Sequence, residues 1–164
     1  MQASAYSAIF FSPMGPIGII LRAKQLARLT FLEPSHSHVI QHPDDDSNNS
    51  SSLIQQITNE LQHYFEHAKH IFTISLHIEG TPFQQRVWQA LQKIPSGNTL
   101  TYGTLAKKLQ TSPRAIGQAC RTNRLPLIIP CHRIIATHHL GGYVGNISGP
   151  FAKIKEQLLK HEQS

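Results

Sequence analysis

The sequence predicts two domains of different class: an α+β unit over residues 1–80, made of a small antiparallel sheet plus a helix, then a mostly α-helical domain over residues 81–164 with a helix-turn-helix-like element. Three observations carry that prediction. Short apolar runs broken by proline and glycine occupy the start of the chain, as strands and hairpin turns require. Apolar residues then recur at helical spacing in two separate stretches. Around Glu79-Gly80-Thr81-Pro82 the charge changes sign: residues 1–80 hold four Lys/Arg against seven Asp/Glu, a net of −3, whereas residues 81–164 hold eleven against two, a net of +9.

The elements follow in order. Residues 8–11 and 17–21 are apolar runs separated by Pro13 and the Gly15-Pro16 turn, a hairpin pattern, and residues 27–32 offer a third strand. Residues 34–52, with Asp44-Asp45-Asp46 and a Ser/Asn tract, read as an exposed loop. Three adjacent aspartates cannot all face one ligand, so this is not a carboxylate site. Leu53, Ile57, Leu61, Tyr64, Phe65 and Ala68 form one apolar helical stripe, and residues 71–78 read as a following strand. His63-Tyr64-Phe65-Glu66-His67 matches a zinc-peptidase pattern in form. On a helical wheel, however, His63, Glu66 and His67 lie opposite the stripe, on a solvated face.

Beyond the boundary, Phe83, Val87, Trp88, Leu91 and Ile94 define a second helical stripe, stopped by Pro95-Ser96-Gly97-Asn98. Phe83 and Trp88 are read as core. Residues 104–109 and 114–122 are two short helices joined by Gln110-Thr111-Ser112-Pro113, with Ser112 the N-cap and Pro113 the first helical residue. A short helix pair in a strongly basic region fits helix-turn-helix and a polyanionic partner, nucleic acid first. A basic surface that serves only solubility fits the same charge.

Composition bounds the rest. Of 164 residues, 40% are hydrophobic, enough for a real core. No apolar run approaches the roughly 18 residues of a membrane span. There is no basic stretch ahead of an apolar one near residue 1, and two cysteines make no disulfide framework. The expectation is a soluble, cytoplasmic protein with no membrane association.

Pro130-Cys131-His132-Arg133 follows the apolar run of residues 125–129. A cysteine beside histidine and arginine has the positive charge and base that a reactive thiolate needs. A buried structural cysteine fits the same residues, and the chemistry alone leaves both open. Cys120, with only Arg121 beside it, reads as a small side chain facing DNA or core.

Phe83-Gln-Gln-Arg-Val-Trp-Gln-Ala-Leu, Ile94-Pro-Ser-Gly, Thr101-Tyr-Gly-Thr-Leu-Ala, Arg114-Ala-Ile-Gly-Gln-Ala, Asn123 and Pro130-Cys-His-Arg-Ile-Ile occur in that order. This series resembles the O6-alkylguanine-DNA alkyltransferases, also called methylated-DNA–protein-cysteine methyltransferases. The likeness covers residues 82–162. The first 80 residues match in layout only, where the family carries a variable sheet-containing domain. Three departures stand out: Arg124 where the family usually has proline, a shorter interval from Tyr102 to Arg114, and a longer segment from Tyr143 to Lys155.

The resemblance implies a DNA-repair reaction of single turnover. Cys131 would take the alkyl group from O6 of guanine, mainly methyl and with O4-alkylthymine as a further substrate, and keep it as a thioether. His132 would accept the thiol proton through water, polarised by Glu162. Asn123 would hold the reactive segment, and Tyr102 would donate toward guanine N3. Arg114 would fill the space left by a base flipped from double-stranded DNA, with its helix in the minor groove and Arg121 beside it. Backbone near Ile134 and the wall with Tyr143 and Ser148 would complete the pocket. The implied protein is a monomer that needs no cofactor and no metal. A lesion-binding relative without chemistry would lack Cys131. A plain helix-turn-helix regulator would have no use for the Cys/His/Glu set, and a cysteine hydrolase none for a basic DNA face.

Overall fold

The computed structural model describes residues 5–33, 39–40, 47–141 and 150–163. The chain divides into two compact units, Met1–Ile78 and Glu79–Ser164.

In the first unit, β1 (Ala5–Tyr6) pairs in parallel with β5 (Val39–Ile40). β2 (Ala8–Ser12), β3 (Gly15–Arg22) and β4 (Gln25–Phe31) form an antiparallel meander in the order β2-β3-β4. Alternation sends Ile17, Ile19, Leu29 and Phe31 into the core, and Leu26 joins them across a register shift between Ile20 and Leu21. Gly18 is required by a close approach: a Cβ there would lie 2.5 Å from the Tyr6 ring. The β3–β4 turn puts two consecutive non-glycine residues, Ala23 and Lys24, at φ of 53° and 60°. Those values belong to a type I′ hairpin, whose usual Asn-Gly signature is missing from the sequence.

Helix α1 (Ser47–Glu66) buries Ile57, Leu61 and Tyr64, and leaves His63, Glu66 and His67 exposed, the faces the wheel predicts. Two expectations need correction. The helix begins at Ser47, inside the Ser/Asn tract read as loop; polar residues are tolerated on its exposed face, as at Ser51 and Ser52. Residues 34–38 and 41–46 of that tract, with the three aspartates, lie outside the described residues. Residues 71–78 are not a strand; they make a single parallel bridge, Leu76 with Leu26. Two hydrogen bonds hold it, Ser75 O accepting from Leu26 N at 3.0 Å and Leu26 O from His77 N at 2.8 Å. High β propensity is not enough where only one residue finds a partner.

The second unit is helical. α2 (Pro82–Gln92) starts in a capping box, Thr81 with Gln84, and has Pro82 in its first turn. It buries Val87, Trp88 and Leu91. Strand β6 (Leu100–Thr101) leads into α3 (Tyr102–Leu109), capped by the Thr101 side chain and closed by Gln110 in the left-handed region. α4 (Pro113–Arg121) is capped by the Ser112 hydroxyl, which accepts from Ala115 N. The helix pair is therefore present with the expected cap. Trp88 Nε1 donates to the Ala119 carbonyl at 2.8 Å and fastens α4 to α2.

Residues 125–134 are all buried. They carry the chain to a 3-10 turn, Cys131–Arg133, followed by β7 (Ile134–Ile135), which pairs in parallel with β6. A last helix, α5 (Pro150–Gln163), was not read from the sequence. It packs on the 3-10 turn. No helix among the described residues is long and apolar enough to cross a membrane.

Candidate active site

The reactive segment is held from behind by one asparagine. Asn123 Nδ2 donates to the Ile129 carbonyl at 2.8 Å, and its Oδ1 accepts from Leu125 N at 2.9 Å. Asn123 also bonds the Cys131 side chain. One amide thus ties both ends of the buried run to the thiol at its end.

Cys131 and His132 are buried, at 7% and 0% exposure. Burial pushes the Cys131 thiol up, against the opposing pull of the Asn123 hydrogen bond and the Lys155 charge. Burial likewise pushes His132 down, although Glu162 pulls the other way. Both shifts favour the uncharged forms, thiol and neutral imidazole. The adjacent arginine, expected to bring positive charge to the thiol, is turned to a different partner.

That partner is Glu162. Its Oε1 lies 2.7 Å from His132 Nε2 and accepts from Arg133 Nη2 at 2.8 Å, while its Oε2 accepts from Arg133 Nε at 3.0 Å. These bonds outweigh burial and hold the carboxyl at about 2. An ionised carboxylate only accepts, so Nε2 carries the imidazole proton and Nδ1 keeps its lone pair. Nδ1 is buried and has no hydrogen-bond partner among the described residues.

Lys155 is a second buried cation of the site, 0% exposed. Its Nζ donates to the Ile134 carbonyl at 2.5 Å and lies 5.9 Å from the centre of the Tyr102 ring. Burial lowers it to about 8 against the opposing attraction of Cys131 and Cys120. Tyr102 is raised to about 12, by burial and then by the charges of Cys120 and Cys131, so its hydroxyl keeps its proton near neutrality. Gly141, at φ 78°, backs this corner: a Cβ there would stand 3.1 Å from the Tyr102 hydroxyl and 3.4 Å from Lys155 Nζ.

Of the residues singled out in the sequence, Cys131, His132, Glu162 and Asn123 are therefore brought together, with Tyr102 and the Ile134 carbonyl beside Lys155. That carbonyl already accepts the ammonium, so a ligand amino group would share it through the second lone pair. Arg114 and Arg121 are exposed at opposite ends of α4. Tyr143 and Ser148 lie outside the described residues. Cys120 is half-buried on α4, and burial, then Cys131, raises its thiol to about 12, with Lys155 opposing. A cavity of about 520 Å³ between α2 and α3 is lined by Ile94, Leu100, Leu105 and Leu109 among others, and by none of the groups just described.

Arg133 and Lys155 were missed as site residues. A signal existed for the second: Ile154, Lys155, Leu158 and Glu162 follow one helical stripe, and two charges on a buried stripe ask for partners.

Residues 82–164 match the family model described as 6-O-methylguanine DNA methyltransferase, DNA binding domain. A methylated-DNA–protein-cysteine methyltransferase of Methanosarcina mazei is 38% identical over 162 residues, covering 97% of this chain and 98% of its own. The chain belongs to this family. A constitutive member from Bacillus subtilis is 34% identical over 154 residues, 90% of this chain and 91% of its own. Among solved structures, Mycobacterium tuberculosis OGT in complex with DNA superposes with a TM-score of 0.73 at 31% identity, over 94% of this chain and 91% of that one. The O6-methylguanine DNA methyltransferase of Methanococcus jannaschii gives 0.65 at 34% identity, over 95% and 93%. Members of the family transfer a methyl group from methylated DNA to a protein cysteine, and this chain is an enzyme of that class.

Proposed function

We propose that the chain repairs double-stranded DNA by taking the alkyl group of O6-alkylguanine, methyl first and O4-alkylthymine as a further substrate, onto its own Cys131 in a single irreversible turnover. The observation that supports this most is the buried Cys131–His132–Glu162 series, whose base nitrogen, Nδ1, has its lone pair available and whose carboxylate is locked in the ionised form.

The thiol proton passes to His132 Nδ1 through a water, and the charge that develops on the imidazole is met by Glu162. The sulfur then forms a bond to the alkyl carbon as the carbon–O6 bond breaks. Its electron pair leaves with the guanine. Tyr102, which keeps its proton near neutrality, donates to N3 so that the base departs neutral rather than as an anion. Lys155 supplies positive charge beside the forming thiolate. The product thioether has no leaving group that water could displace, so the protein is consumed.

A stacked base is out of reach of a buried thiol, which calls for flipping. In this reading Arg114, exposed in the first turn of α4, enters the duplex from the minor groove, with Arg121 on the last turn of the same helix. The +9 charge of residues 81–164 gives phosphate contacts without sequence preference. One monomer suffices, and the compartment is the cytoplasm.

Intact mass after incubation with duplex DNA bearing O6-methylguanine tests this. The expected result is a gain of one CH2 unit per chain, never more, with no gain in Cys131→Ala. An unchanged mass in wild-type protein that binds the DNA contradicts it.

A further inference from the structure

Glu162 meets both His132 and Arg133, and the arginine reaches both of its carboxylate oxygens. Arg133 approaches the carboxylate as a fork, Nε to Oε2 at 3.0 Å and Nη2 to Oε1 at 2.8 Å, while Nη1 donates to the Ile94 carbonyl at 2.6 Å. Arg133 is buried, so all three contacts are made in a largely dry setting. Ile94 lies just past the end of α2, where helix carbonyls lack intrahelical partners. Nearby, a Cβ on Gly97 would sit 3.2 Å from the Glu162 carbonyl, which shows how tightly this turn meets the end of α5. Arg133 therefore fixes the plane of the Glu162 carboxylate against two helix ends at once.

The consequence concerns a proton. A buried carboxyl deprived of its arginine favours the neutral acid. A neutral acid can donate to His132 Nε2, which moves the imidazole proton to Nδ1, and an Nδ1–H cannot accept from a thiol. We propose that Arg133 is a positioning residue for the transfer, holding the Glu162 carboxylate so that His132 keeps its proton on Nε2 and its lone pair on Nδ1. Lysine would bring the charge without the two-pronged geometry that sets the carboxylate plane. The charged groups that act on the imidazole are Glu162 and Lys155 from α5 and Arg133 from its own turn. Arg133 also grips the carboxylate.

The inference rests on the reading of His132 as the base, and its test has a readout that does not depend on transfer. Nitrogen-15 spectra of the histidine rings in the full chain report which nitrogen of His132 carries the proton. Wild type is expected to show Nε2 protonated and Nδ1 bare near neutral pH. R133M is expected to shift the proton to Nδ1, or to a mixture of both, and to slow single-turnover transfer about 100-fold. R133K should recover part of the rate and of the wild-type tautomer. On an E162Q background, R133M should cost no further rate, since the route through the carboxylate is already cut.

A folded R133M with the Nε2 tautomer and an unchanged rate overturns the proposal. If R133M loses its tertiary structure, the decision passes to R133K: a shifted tautomer with slower transfer supports the role, whereas wild-type spectra and rate contradict it. Methyl uptake persisting in Cys131→Ala would sink the acceptor assignment alone, and the tautomer result would still judge Arg133.

Discussion

Among the described residues two buried glutamates each meet a histidine, one in each unit, and they do different work. In the first unit Glu60, on α1, accepts from Thr73 N at 2.7 Å, Thr73 Oγ1 at 3.1 Å and Gln56 at 3.1 Å, with His70 Nε2 3.2 Å away. In the second, Glu162 is shared by His132 and Arg133. Both carboxylates are lowered by their hydrogen bonds against the opposing effect of burial. Glu60 pins a strand-poor segment, residues 67–78, to its helix; the donors around it are mainly neutral and no thiol adjoins them. Glu162 faces a histidine whose other nitrogen has no partner among the described residues and whose chain neighbour is a buried cysteine. A histidine–carboxylate pair is thus not evidence of chemistry by itself. What matters is the second ring nitrogen and what adjoins it.

The sharpest way to break this contrast is to remove each carboxylate in turn. Glu162→Gln should slow single-turnover transfer by on the order of 100-fold and cost about 3 kcal/mol in denaturant unfolding, because Arg133 is left buried with a weaker partner. Glu60→Gln should cost about 1–3 kcal/mol of stability and leave the transfer rate to free O6-benzylguanine unchanged. Equal rate losses in the two variants would erase the distinction.

Arg114→Ala comes next. Repair of a lesion in duplex DNA should fall by roughly 10–100-fold, the cost of losing a group that holds the flipped state, while reaction with free O6-benzylguanine stays near wild type. Similar losses on both substrates would place Arg114 in the fold or pocket instead.

The pH profile separates the same groups more finely. Glu162 has a folded value of about 2, below the ordinary 4.5. Its stabilising contribution is therefore present above about 4.5 and is lost as pH falls toward 2. Glu162→Gln should remove that acid-side slope in stability. Lys155 is lowered to about 8, so the folded state holds its proton less well than the unfolded chain does. The resulting penalty is full below about 8 and fades as pH rises through the ordinary lysine range. Transfer should weaken above about 8 as the cation beside Cys131 is lost, and Lys155→Met should abolish that limb. A limb persisting in Lys155→Met would assign it to another group. The smallest effect is Ser112→Ala, about 1 kcal/mol of stability from a lost helix cap, read by thermal unfolding, with no change in transfer to the free base.

Local chemistry was the part most legible in the sequence. The cap at Ser112 and the stripes of α1 and α2 are signals that a few neighbouring residues carry alone, whereas the Asn123 and Cys131 assignments rest on the resemblance of the whole series of motifs. Contacts between distant residues were not legible. Arg133 beside a cysteine reads as help for the thiol; only the 3-10 turn shows its guanidinium aimed 29 positions along the chain at Glu162. Lys155 needed α5 to be recognised as a helix first. The pairings β1–β5 and β6–β7 are two residues long and leave no alternation to detect. Residues 71–78 misled in the opposite sense, since β-branched and aromatic residues signal a strand whether or not a neighbouring strand is there to receive it.

The central claim is that one of two cysteines is the acceptor, although both lie within electrostatic reach of Lys155 and Tyr102. Peptide mapping by tandem mass spectrometry, after one turnover on O6-methylguanine duplex, decides it. The account predicts methyl on Cys131 alone, with Cys120 unmodified and Cys120→Ala reacting normally. Methyl on Cys120, or its continued uptake by Cys131→Ala, would contradict it.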